Sequence, residues 1–309
     1  MVEKVKPEKK RGARSQEKKK PDVNRKMIGW AFAITGIVSL GMWMAGGGVR
    51  RSKVAGWGEA LETNEIPQAI VTLERDSDIT ASLQRTVGGL AGEYAVWVYR
   101  LNSGEVYGIN EDTQMPAASI MKVPIMAAVL KQVENGNLEL EDGYVRMLED
   151  MGKNSDNTAP VILTQAIGQE KVKESVLDLG MTASSFEENT TTAADVGRMW
   201  VKLYKGEYLR EEYWQKMESW LTDSIYEDRI PAGLPVRDGV KVIHKVGTGA
   251  GVWADGGVIE CKSVRVEECK FDPFVLVVLN KETKRDEALS AVPELVRKIW
   301  AYETNAPED

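Results

Sequence analysis

Ala118-Ser119-Ile120-Met121-Lys122-Val123-Pro124-Ile125-Met126-Ala127-Ala128-Val129-Leu130 sets a hydroxyl and an amine three residues apart at the head of an apolar run. Positions i and i+3 share one face of a helix, so the Lys122 amine can approach the Ser119 hydroxyl. The flanking Ile120, Met121, Val123 and Ile125 would strip water from that amine, which disfavours its charged form and moves Lys122 toward the range of a base. A helix that begins at Ser119 also offers free backbone N–H groups where an acyl oxyanion would form. Pro124 fits such a helix in its first turn, where no N–H partner is lost. The spacing alone is a weak signal, because Ser15 and Lys18 repeat it in a polar tail where it has no catalytic meaning.

Two further signals lie downstream, Ser155-Asp156-Asn157 and, on a predicted strand, Lys245-Val246-Gly247-Thr248. Outward from these, residues 79–88 read as a short helix. Tyr94 to Tyr99 and Glu105 to Ile109, joined by a turn at Asn102-Ser103-Gly104, read as a hairpin. Helical patterns fill the chain from Ser119 to about Tyr226. Strands are expected at Val240 to Lys245, Gly256 to Lys262 and Phe274 to Asn280. An amphipathic helix is expected at Arg285 to Tyr302, with Leu289, Val292, Leu295, Val296 and Ile299 on its apolar face. Strands at both ends with helices between them predict one α/β domain over residues 79–304. Its N- and C-terminal strands would form a single antiparallel sheet flanked by helices, beside an all-helical lobe, with function where the two meet.

In order and character the three motifs are the S-x-x-K, S-D-N and K-T-G set, and residues 79–304 resemble class A β-lactamases and penicillin-binding proteins. The stretch Thr190-Thr191-Thr192-Ala193-Ala194-Asp195-Val196-Gly197-Arg198-Met199-Trp200 resembles class A members too. The resemblance implies a β-lactamase-like fold and a covalent acyl-enzyme on Ser119, with Lys122 as its proton partner and Ser155 as a relay toward the leaving group. Asn157 would hold the substrate amide. Lys245 and Thr248 would meet a substrate carboxylate, and the backbone N–H groups of Ser119 and Thr248 would form the oxyanion hole. A nucleophile, a base, a shuttle, an anion anchor and two donors are also what acyl transfer requires on chemical grounds. The implied substrates are β-lactams or the D-Ala-D-Ala end of a peptidoglycan stem peptide. The same order of motifs would also suit a D-Ala-D-Ala carboxypeptidase-like enzyme with slow β-lactam turnover, or a non-catalytic membrane-tethered binding module that kept the fold.

Two positions depart from the family pattern. Val246 stands where Thr or Ser is usual, which removes a hydroxyl from the third motif. Between Gly180 and Thr192, class A β-lactamases carry a long loop whose E-x-x-L-N segment sets a Glu on the deacylating water; the short Gly180-to-Thr192 stretch holds no such segment. Glu187 and Glu188 are the only carboxylates nearby and therefore the candidate deacylation bases, against the ordinary reading of solvated loop charges. His244 is the only histidine, which excludes a Ser-His-Asp triad and a His-rich metal site, so no cofactor or metal is expected. Adjacent to Lys245 on a strand, His244 should point to the opposite face in a structural role. Cys261 and Cys269 flank a hairpin loop where a bridge or two thiols would both be structural. Trp214, Trp220 and Trp253 read as core or, for Trp253, as a cleft wall.

Charge divides the chain unevenly. Residues 1–26 carry 11 Lys/Arg against 4 Asp/Glu, which leaves 29 against 43, a net −14, for the rest. No nucleic-acid partner is expected for so acidic a body, since phosphate binding needs clustered positive charge. Residues 27–49 (MIGWAFAITGIVSLGMWMAGGGV) hold no charge over 23 positions. As a helix they would run about 35 Å, enough to cross a bilayer core of ~30 Å. Trp30 and Trp43 sit near the ends, and the excess of Lys and Arg before the segment puts the N-terminus inside. One transmembrane helix is therefore expected to precede the fold, with residues 1–26 a basic cytoplasmic tail, 50–78 a juxtamembrane spacer and the catalytic domain extracytoplasmic. A cleaved signal peptide is the competing reading, because Ala45, Gly46 and Gly47 are small enough for processing.

Overall fold

Short, largely apolar runs at the two ends of the domain form five strands that pair into one antiparallel sheet. In the computed structural model, residues 77–234, 239–262 and 271–305 are described. The strands are β1 (Glu93–Arg100), β2 (Val106–Ile109), β5 (Val240–Gly249), β6 (Val252–Cys261) and β7 (Phe274–Lys281). Their order is β2-β1-β7-β6-β5, so β1, from the start of the domain, lies at the centre between β2 and β7. This is the antiparallel sheet of N- and C-terminal strands expected from the sequence. The basic tail, the apolar run 27–49, the spacer up to residue 76 and Cys269 lie outside the described residues. Among the described residues no helix is long and apolar enough to cross a membrane.

Each sheet face is covered because each strand carries apolar residues on both sides. On one face Val96, Val98, Leu276 and Val278 pack against α1 (Ser77–Val87), α8 (Ile230–Gly233) and α9 (Arg285–Thr304). Val292, Leu295, Val296 and Ile299 of α9 are fully buried there, each contributing about 1.5–3 kcal/mol of transfer free energy. The opposite face, with Ala95, Trp97, Val275 and Val277, meets α6 (Ala193–Tyr204) and the helical lobe. Gly197 permits that approach, since a Cβ there would lie 2.0 Å from the Trp97 ring.

The lobe comprises α2 (Lys122–Glu134), α3 (Asp142–Lys153), α4 (Ala159–Ile167), α5 (Gln169–Asp178) and α7 (Glu211–Leu221). Lys122 to Leu130 are buried without interruption, as expected of a helix that is apolar on every side and lies at the centre of its lobe. A two-stranded ribbon, β3 (Met115–Pro116) with β4 (Thr190–Thr191), ties the approach to α2 to the segment before α6.

The β5–β6 hairpin is longer than its pattern suggests. Strand β5 runs on through Gly249, four residues past the expected end at Lys245, and β6 begins at Val252 rather than Gly256. Glycine-rich sequence hides the period, but backbone pairing continues from Val240↔Cys261 to Gly249↔Val252. Cys261 is disulfide-bonded.

Candidate active site

A 3-10 turn, Ala118–Met121, leads directly into α2, so Ser119 sits at the head of the buried helix with Lys122 as its first residue. Pro124 falls in the first turn, where it breaks no hydrogen bond. Ala118, just before Ser119, has φ 47°, and Ser155 has φ 55°. Non-glycine residues in this left-handed region cost about 1–3 kcal/mol and persist only where surrounding structure imposes them. Strand β5 passes close to the turn: a Cβ on Gly247 would lie 2.9 Å from the Ala117 carbonyl oxygen and 3.2 Å from Ile120. Glycine at this position lets the third motif lie against the first.

The three motifs meet at Ser155. Lys122 Nζ donates to the Ser155 carbonyl oxygen at 2.6 Å, to Asn157 Oδ1 at 2.7 Å and to Ser155 Oγ at 3.2 Å. From β5, Lys245 Nζ donates to the same Ser155 Oγ at 2.9 Å. With both lone pairs of Oγ accepting, the Ser155 O–H proton is left to point elsewhere. Burial pulls Lys122 down to about 8, against the opposing pull of Asp156. Lys245 falls further, to about 7, first through burial and then through the charge of Lys122, with Arg229 adding to the fall and Asp255 opposing it. Asp156 accepts from the backbone N–H groups of Ala159 and Thr158, at 2.7 and 2.8 Å, which hold its carboxyl below the usual range. Among the described residues, no side chain hydrogen-bonds Ser119 Oγ. Lys122 has all its protons on the Ser155 turn, so it must release one and swing toward Ser119 to act on it.

The other expected residues divide. Asn157 is in the cluster, through Lys122. Thr248 lies on the opposite face of β5 from Lys245, where its Oγ1 accepts from Arg229 Nη2 at 2.8 Å. Glu187 is 55% exposed and ion-paired with Lys173 of α5 at 2.5 Å, which lowers its carboxyl. Glu188 is exposed, its backbone N–H donating to Ser185 Oγ. Among the described residues neither glutamate hydrogen-bonds any member of the Ser119 cluster. The loop they ride on is pinned by Asp195, which accepts from Ala183 N–H at 2.8 Å and Ser184 Oγ at 2.7 Å.

Sequence reasoning missed Arg229. Buried just before α8, it donates to the Ala254 carbonyl and to Thr248, and its guanidinium lies 5.6 Å from the Trp253 ring centroid. Arg229 stands in a stretch without helical or strand period, and its only sequence signal is a cation shortly ahead of the third motif. Trp214 and Trp220 are core residues, while Trp253 is half-buried beside Arg229 and Arg285. His244 points away from Lys245, as expected, and hydrogen-bonds Asp255.

The site therefore holds a serine at a helix head, two lysines with lowered proton affinity and a bridging serine hydroxyl. A model of the β-lactamase enzyme family matches residues 77–147 and 144–302. The chain belongs to the β-lactamase enzyme family. By that membership it is a serine hydrolase. Among solved structures, PBP-A is similar with a TM-score of 0.66 and 18% identity, over 74% of this chain and 97% of that one. The β-lactamase from Sphaerobacter thermophilus DSM 20745 gives 0.65 and 20%, over 74% and 98%. An ancestral class A β-lactamase gives 0.64 and 22%, over 72% and 99%. At these identities the likeness speaks to the fold, which is the β-lactamase-like one. No curated protein sequence matches the chain.

Proposed function

We propose that this serine hydrolase is a membrane-anchored, extracytoplasmic enzyme that forms an acyl-enzyme on Ser119 with D-Ala-D-Ala peptides and with the β-lactams that imitate them, and that releases the acyl group slowly. Ser119 attacks the carbonyl once Lys122, neutral, takes its proton. The tetrahedral oxyanion is received by the backbone N–H groups of Ser119 and Thr248. Ser155 passes a proton from the lysine pair to the leaving nitrogen. Asn157 orients the substrate amide, while Lys245, Thr248 and Arg229 attract the substrate carboxylate.

The convergence of Lys122 and Lys245 on Ser155, beside Ser119, carries this reading. Slow release follows from the same geometry: among the described residues, no carboxylate is hydrogen-bonded to that cluster to deprotonate a water. A positioned general base is worth about 10²- to 10⁴-fold, so Glu187, tied to Lys173, and Glu188 leave deacylation slow. A variant of PBP-A has been solved as an acyl-enzyme complex with penicillin G, which favours a penicillin as the probe for this chain. Anchoring is supported by the uncharged run 27–49 and the basic tail. The disulfide at Cys261 suits an oxidising compartment.

Release of D-alanine from a peptide ending in D-Ala-D-Ala tests the substrate class. The expected result is release that penicillin blocks and that Ser119→Ala abolishes while the variant stays folded. A Ser119→Ala protein that still releases D-alanine at full rate would remove Ser119 from the role of nucleophile.

A further inference from the structure

Four basic side chains are buried at or behind the site: Lys122, Arg229, His244 and Lys245. Two carboxylates are fully buried among the described residues, and one of them, Asp195, is engaged on α6 by Arg198, Ser184 and Ala183. Asp255 on β6 is the other. His244 Nδ1 lies 2.9 and 3.0 Å from its two oxygens, and His244 Nε2 lies 3.3 Å from Glu227 Oε1. An ionised carboxylate only accepts hydrogen bonds, so a ring held between two of them carries a proton on each nitrogen. The His244 ring is therefore an imidazolium. Burial opposes that charge more than any other single effect, but Asp255 and then Glu227 outweigh it and push His244 up to about 9.

Asp255 is saturated by this arrangement, since it also accepts from the backbone N–H groups of Ile230 at 3.1 Å and Gly256 at 2.9 Å. Other charged groups face the same layer. Arg229, from the segment before α8, reaches only the Ala254 carbonyl and Thr248 by hydrogen bond, with Asp228 Oδ1 3.6 Å from its Nε. Lys245 is adjacent to His244 on β5 but points to the opposite face, where it shares Ser155 with Lys122 of α2.

We infer that His244 is a positioning residue for Lys245: by engaging Asp255 from behind β5, the imidazolium weakens the hold of that buried carboxylate on Lys245 and keeps the lysine's proton exchangeable with Ser155 on the site face. This rests on the proposed acyl-transfer role of Lys245 and Ser155. When His244 is neutral or absent, the negative charge of Asp255 is offset, among the described residues, only by Arg229 and the Ile230 and Gly256 N–H groups, and more of it reaches Lys245 across β5. An opposite charge nearby favours the protonated amine, so Lys245 then holds its proton to higher pH.

The test compares the full-length chain with His244→Asn and Glu227→Gln. The rate of penicillin adduct formation is read by intact mass from pH 6 to 10, and the ring of the only histidine is followed by NMR. In His244→Asn the limbs of the acylation profile should move up, carrying its apex about half a pH unit higher, and the rate at pH 9 to 10 should be about tenfold the wild-type rate. Glu227→Gln should lower the pH at which the ring titrates and move the limbs in the same direction. A purely structural histidine would scale the whole profile without moving a limb, and that result overturns the inference. If His244→Asn does not fold, an unmoved limb in Glu227→Gln, or a wild-type ring already neutral at pH 7, overturns it as well. Wild-type protein that forms no adduct at any pH instead overturns the proposed acyl-transfer function.

Discussion

Lys122 and Lys245 differ in what each must do with a proton, and their surroundings set the pH at which each can do it. In the proposed mechanism Lys122 acts as a base when neutral; it is pulled down to about 8, so that contribution should rise as pH climbs through that value. In the same mechanism Lys245 attracts a carboxylate when charged; it is pulled down to about 7, so that contribution should fall as pH climbs through that value. The acid titrates below the base, and a bell-shaped kcat/KM with an apex near pH ~7.5 is expected, with only ~5% of the enzyme correctly protonated there. Because the lysines share Ser155, both limbs belong to the pair rather than to either residue. Steady-state rates across pH 5 to 10 check this; a rate that rises to a flat plateau above pH 9 would mean that Lys245 need not be charged. The S-x-x-K and S-D-N residues were legible as single letters because each motif carries its chemistry within three or four positions. Arg229 and Asp255 were not, since each gains its partners only through strand register and a loop that sequence period does not mark.

At the level of elements, β5 decides whether the motifs meet. Its first half was legible from Val240 to Lys245, but the continuation through Gly247, Thr248 and Gly249 lacks the alternation that marks a strand. Gly247 reads as a break in the sequence, yet in the fold it lies close against the Ser119 turn. Gly247→Ala would set a Cβ 2.9 Å from the Ala117 carbonyl oxygen, a backbone atom that cannot turn aside. The strand must then withdraw from Ser119, at a cost of about 1–3 kcal/mol in stability. Penicillin acylation should slow at least ~10-fold as Lys245 and Thr248 lose register with Ser119, since small displacements of positioned groups carry large rate penalties. Thermal melting together with acylation kinetics measures both effects. A variant with wild-type rate and melting temperature would show that the contact can relax. The Gly180-to-Thr192 stretch was legible only as a deletion. Its tie to Asp195 and the pairing of Glu187 with Lys173 depend on side-chain geometry that composition does not carry.

Across the whole molecule, a basic tail, an uncharged run of 23 residues and an acidic body follow one another in sequence, an order that suits a protein held at a membrane surface with its enzyme outside. Protease added to intact cells should remove the domain from about residue 79 onward and spare the tail, as followed with tags at both ends. Protection of the C-terminal tag would reverse the topology. Within the domain, the sheet of N- and C-terminal strands and the lobe around α2 were legible because their apolar runs are long and their order is simple. Central to the proposed function is an acyl group that arrives on Ser119 faster than it leaves. Intact-protein mass spectrometry after mixing with penicillin reads that directly. A one-to-one adduct on Ser119 lasting many minutes is the expected result, whereas no adduct, or one that vanishes within seconds as hydrolysed penicillin accumulates, would contradict it.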